Sequence, residues 1–205
     1  MALRPTFIGF NLDQFKSLYG SKDKKLLSRL TKWYDGSIVT IVKDGKNEKV
    51  YYSSKGEDHE VIKNFIMGQK SAVELENNYP YVITNLIFFQ STDIVKTDSQ
   101  TWRYYHNDYF KFLEQNVSKD YLHFVEYMLF GRMFFSEEDL PTTEFPYAYL
   151  TNKEVDYLLN DIRHNPKIYW DTWEFGHEFR SFGQSFESWL SEIKKTGADL
   201  FFDQG

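Results

Sequence analysis

Apolar residues recur three and four positions apart in one segment after another, and this spacing commits most of the chain to amphipathic helices. The clearest case begins at Thr151. Followed by Glu154, it forms a capping-box signature ahead of Val155, Leu158, Leu159 and Ile162, and Asn165-Pro166 ends the run. Leu26, Leu27, Leu30 and Trp33 repeat in the same way after a capping Ser21, with Lys and Arg on the other face and Gly36 as the stop. Asn11 or Asp13 caps a short helix carrying Leu12, Phe15, Leu18 and Tyr19, closed by Gly20. Val61, Ile62, Phe65 and Ile66 place a helix over residues 59–67 that ends at Gly68.

Residues 81–89, after Pro80, are apolar almost all round, which predicts a buried central helix with a central strand as the competing reading. Residues 102–112 and 118–130 carry aromatic and aliphatic residues at helical spacing, with Ser118 and Gly131 as boundary signals. The last helix is predicted over residues 185–195, burying Phe186, Trp189, Leu190 and Ile193 and stopping at Gly197.

Strand signals are few. Residues 6–10 alternate weakly, Leu200-Phe201-Phe202 suits a short final strand, and residues 37–42 and 49–53 flank an Asp44-Gly45 turn signal, which predicts a hairpin. The expected fold is therefore α+β and mainly α-helical, with about seven or eight helices and a small hairpin and short-strand element. The whole chain, residues 1–205, is read as a single globular domain. Phe15, Leu26, Leu30, Ile62, Phe65, Leu86, Phe124, Leu158 and Trp189 fall on the apolar sides of these patterns and are the expected core.

That core is built from rings to an unusual degree, since aromatics make up 19% of the chain, and a sequence this rich in large apolar groups is not a disordered one. Tyr and Trp also carry a polar handle suited to contact surfaces. The formal net charge of -6 repels a phosphate backbone and leaves nucleic acid as an unsuitable partner, whereas it suits a basic protein. No apolar stretch is long enough to span a bilayer. Residues 1–10 hold too few large apolar residues for a signal-peptide core, so a cytoplasmic protein is expected.

The chain contains no cysteine, which excludes disulfides, thiolate zinc sites and a cysteine nucleophile. Its glycines fall into neither phosphate-loop pattern, and no GxSxG elbow occurs. His177-Glu178 resembles the opening of a zincin motif, but the second histidine that motif needs is replaced by Ser181. Asp171, Glu174, His177 and Glu178 offer one imidazole and three carboxylates, the basis of a rival reading as a metal-dependent hydrolase. Trp170, Trp173, Phe175 and Phe179 interleave with them, as on the wet side of an aromatic segment. His106 and Asp108 could act in acid/base chemistry only if they faced a common pocket. No catalytic residue, metal ligand or cofactor is assigned.

The segment 134–145 carries Ser136, Glu137, Glu138 and Asp139 with two prolines nearby, Pro141 and Pro146, and reads as a long exposed loop. Glu137, Glu138 and Asp139, with Trp170 and Trp173, are the candidate binding residues for a basic partner.

Three landmarks carry a resemblance. They are Leu12-Asp13-Gln14-Phe15 with Gly20-Ser21-Lys22-Asp23, Phe145-Pro146-Tyr147-Ala148-Tyr149-Leu150-Thr151 with Glu154, and Phe186-Glu187-Ser188-Trp189-Leu190 with Gly197 and Asp199-Leu200. In order and spacing they resemble an uncharacterised bacterial family of small cytosolic proteins with no assigned activity. The resemblance implies no functional residue. Acidic, aromatic-rich, cysteine-free chains of this kind are similar to immunity proteins that mask a basic toxin, which implies a non-enzymatic protein-binding or regulatory role. A protein that sequesters a small molecule in an aromatic pocket is the third reading.

Overall fold

A computed structural model of the chain describes residues 6–35, 38–43, 46–51, 56–91, 96–98, 106–117, 119–136, 147–166 and 177–203. Nine helices and six strands lie among them, a mainly helical α+β fold. The chain forms two compact units, residues 13–92 and residues 1–12 with 93–205.

The unit formed by both ends of the chain is organised by a four-stranded antiparallel sheet of order β4-β1-β6-β5, with β1 at Thr6–Phe10, β4 at Lys96–Asp98, β5 at Tyr147–Leu150 and β6 at Asp199–Asp203. The last strand lies in the middle: Phe7 stands opposite Phe202 and Ala148 opposite Phe202 on its other side. Helices α6 (His106–Asn116), α7 (Lys119–Phe130), α8 (Asn152–His164) and α9 (His177–Thr196) belong to this unit. Phe7, Ala148, Leu150, Leu200 and Phe202 share one sheet face and enter a core with Val155, Leu158, Leu159 and Ile162 of α8 and Phe186, Leu190 and Ile193 of α9. Alternate residues supply the opposite face, where Phe10, Tyr147 and Phe201 meet Phe134, whose ring stacks on Tyr149 at 4.8 Å.

Both faces are buried, so the strands show no inside/outside alternation. Burial of Phe134 corrects the reading of an exposed loop at that residue: a ring of this size in a cluster of four others contributes more packed than wet.

The start of α8 follows the sequence signature. The Thr151 hydroxyl accepts from the Glu154 amide, and the Glu154 carboxylate accepts from the Thr151 amide at 2.7 Å. A further cap comes from far along the chain. Asp199 accepts the Asn152 amide at 2.8 Å through one oxygen and the Leu12 amide at 2.9 Å through the other, so one carboxylate starts α8 and α1 together.

The other unit holds most of α1 (Leu12–Lys16), then α2 (Lys24–Asp35), α3 (Glu57–Met67), α4 (Ala72–Asn78) and α5 (Pro80–Gln90), with a hairpin of β2 (Ile38–Lys43) and β3 (Lys46–Tyr51). Phe15, Leu30, Ile62, Phe65, Leu75, Ile83 and Leu86 form its core, and the Phe15 and Phe65 rings lie 6.1 Å apart. The helix reading of residues 81–89 holds: Pro80 stands at the first position, where its missing amide costs nothing. The α2 cap is Asp23 rather than Ser21, since its Oδ1 accepts the Lys25 and Leu26 amides at 2.8 and 3.0 Å. Gly68 ends α3 in the left-handed region, and the turn after α1 runs against it, with Gly20 donating to the Phe65 carbonyl and Lys22 to that of Ile66.

Of the expected core, Leu26 is only partly buried, while Phe124 and Trp189 are partly buried against the core of the sheet unit. Among the described residues no helix is long and apolar enough to cross a membrane.

Candidate functional site: an acid and tyrosine patch

Helices α2, α3 and α5 of the unit 13–92, with Tyr79 just before α5, bring six polar side chains together. The first turn of α3 is acidic, with Glu57, Asp58 and Glu60, an arrangement favoured beside the free amides at a helix N-terminus. Asp58 accepts the Tyr81 hydroxyl through Oδ1 and the Tyr34 hydroxyl through Oδ2 at 3.2 Å. The Tyr34 oxygen in turn accepts from the Asn85 amide at 3.4 Å, and Glu57 accepts the Tyr79 hydroxyl at 2.7 Å. Tyr34 comes from the end of α2 and is buried; Tyr79 and Tyr81 flank the proline that starts α5; Asn85 is one turn further on. Tyr81 is half exposed, one of few such large rings among the described residues.

The electrostatics decide what this arrangement can do. Hydrogen bonding to Asp58, followed by desolvation and the nearby negative charge, holds the Tyr81 phenol far above its ordinary ionisation. The bond to Glu57 raises Tyr79 in the same direction. A phenol recruited as base or nucleophile needs its pKa lowered. These two are held instead as neutral donors to Glu57 and Asp58. The patch offers oriented rings beside an acidic edge.

A second polar assembly joins α7, β5 and α8. The Arg132 guanidinium lies 4.1 Å from the Tyr127 ring centre and 4.3 Å from that of Tyr149, and its Nη1 donates to both oxygens of Glu154 at 3.1 and 3.0 Å. The Tyr127 hydroxyl is 2.6 Å from Nε2 of His123, whose Nδ1 lies 3.5 Å from Glu126. Tyr127 is buried, and the planar cation over both rings ties the three elements together.

Glu137, Glu138 and Asp139 lie outside the described residues, as do Trp170, Asp171, Trp173 and Glu174. His177 and Glu178 open α9, and His106 and Asp108 open α6, with their side chains likewise outside the described set. Among the described residues, no group of three or more His, Asp or Glu is placed to hold a metal ion. The acid and tyrosine patch escaped sequence reasoning because its partners lie 22 to 51 positions apart. The available signals were the Gly56-Glu57-Asp58 helix start and the two tyrosines around Pro80.

Comparison of the chain with protein-family models, with curated proteins and with solved structures returns no match.

Proposed function

We propose that this chain is a non-enzymatic binding protein that holds a basic protein, in the manner of an immunity or regulatory partner. The observation that carries this reading is the half-exposed Tyr81 ring, oriented by Asp58 beside the Glu57 carboxylate. Rigid tyrosines contribute contact area at little entropic cost, and the fixed carboxylates complement Lys or Arg. The net charge of -6 extends the same preference over the whole surface. Glu137, Glu138, Asp139, Trp170 and Trp173 are proposed as further contacts of the same kind.

The test begins with the immobilised chain and an extract of its native host. A basic protein retained by the wild type and lost with the double variant Asp58→Lys/Tyr81→Ala, whose circular dichroism is unchanged, supports the reading. Association of that protein is then followed by stopped flow at low and moderate salt. Reversal of Asp58, or of Glu137, Glu138 and Asp139 together, lowers the association rate about tenfold or more at low salt, because steering is electrostatic. Retention that ignores both sets of substitutions, or that selects only acidic proteins, removes the proposal.

A further inference from the structure

The hairpin of the unit 13–92 is a two-stranded sheet of its own. Among the described residues β2 pairs with β3 and with no other strand. An isolated two-stranded ribbon is marginal in water and is stabilised by further strands or by packing against a helix.

The register states which backbone groups are offered. Lys43 stands opposite Lys46 with Asp44 and Gly45 between them. A two-residue connection makes its flanking residues a hydrogen-bonded pair, and such pairs alternate along an antiparallel ladder. Val42/Asn47, Thr40/Lys49 and Ile38/Tyr51 are therefore the other kind, whose amides and carbonyls are directed away from the hairpin partner. On β2 the outward groups belong to Ile38, Thr40 and Val42; on β3 they belong to Asn47, Lys49 and Tyr51.

The two edges differ in sequence. β2 reads IVTIVK, uncharged until its last residue and β-branched up to that point. β3 reads KNEKVY, with the interspersed lysines that protect natural edges from pairing. A strand laid antiparallel on β2 of another molecule and centred on Thr40 sets Thr40 against Thr40 and Ile38 against Val42. Those residues carry the outward groups, so every hydrogen bond of that register is met. The equivalent pairing of β3 centres on Lys49 and sets like charges directly opposite.

We propose that this chain forms a two-fold dimer in which the β2 strands of two copies pair antiparallel about Thr40, giving a four-stranded sheet across the axis. The pairing closes on itself, since each β2 edge is used once and the outer β3 edges carry lysines. It is independent of the acid and tyrosine patch, and either reading stands if the other fails.

Sedimentation velocity of the full chain over a range of concentrations is expected to show a reversible species of twice the 24.5 kDa chain mass. Thr40→Pro removes an amide that faces away from β3, so it leaves the hairpin ladder intact and weakens dimerisation about tenfold or more. The absence of cysteine makes a second readout clean: Thr40→Cys links to itself under mild oxidation, since the Cα separation of about 5.5 Å across such a pair suits a disulfide, and Lys49→Cys does not. The cross-link stands whether or not the proline variant folds. A chain that stays monomeric, a dimer linked through Lys49→Cys and not Thr40→Cys, or a ladder that grows beyond two copies overturns the proposal.

Discussion

Replacing Asp199 by alanine removes two helix caps with one substitution. Its oxygens accept the first amides of α8 and α1 at 2.8 and 2.9 Å, and both bonds are charge-assisted. Each is worth about 1 kcal/mol net, and a negative charge at the start of α8 adds about 0.5 kcal/mol. Asp199 is partly exposed, so solvent already weakens these contributions, and the expected loss is about 2 kcal/mol. In a chain of this length that lowers the melting temperature by roughly 4–8 °C. Asp199→Asn keeps one acceptor and turns an amide donor toward the other backbone N–H, so it falls between wild type and alanine. Urea unfolding followed by circular dichroism gives the total, and hydrogen exchange at the Leu12 and Asn152 amides gives the location. The reasoning is refuted if Asp199→Ala costs less than about 0.5 kcal/mol, or if those two amides keep their protection.

Gly68 and Gly197 both lie in the left-handed region, but a Cβ on Gly68 meets the Gly20 backbone at 3.1 Å whereas one on Gly197 meets nothing. Gly197→Ala should therefore cost about 1 kcal/mol of strain and Gly68→Ala roughly twice that in urea titrations, and equal losses would count against the contact. Arg132→Lys should cost about 1–2 kcal/mol, because an ammonium cannot both lie between the Tyr127 and Tyr149 rings and reach both Glu154 oxygens; an unchanged unfolding midpoint would discount the clamp. The Tyr81 phenol is raised above its ordinary value of 10.0, so its contribution to stability is complete below that pH and lost as pH climbs beyond it. Wild type should exceed Tyr81→Phe in stability at about pH 8 by a margin that shrinks in alkali, and a margin that grows would reverse the sign of the argument.

Local signals carried the helices a long way. Thr151 and Glu154 specify their cap by chemistry confined to four successive residues, and Gly68 ends α3 because a left-handed residue is needed there whatever surrounds it. The hairpin around Asp44-Gly45 and the final strand at Leu200-Phe201-Phe202 were legible for the same reason. Helix α4 went unread because its seven residues hold too few apolar positions to show a period. Strands β4 and β5 were missed for opposite causes. Lys96–Asp98 is three residues with no apolar pattern, and Tyr147–Leu150 is buried on both faces, which erases the alternation that marks a strand.

The acidity, the wealth of rings and the absence of cysteine belong to the sequence alone, and the last excludes disulfides, thiolate metal sites and a cysteine nucleophile. Which carboxylates are held, and by what, belongs to the tertiary structure. Asp58 meets Tyr34 and Tyr81, and Asp199 meets Leu12, 187 positions away, only because packed helices and a central last strand bring them within hydrogen-bond reach. Such pairs leave no periodic trace, since hydrogen bonds depend on distance in space, and distance in space is set by burying the apolar faces that the sequence does display.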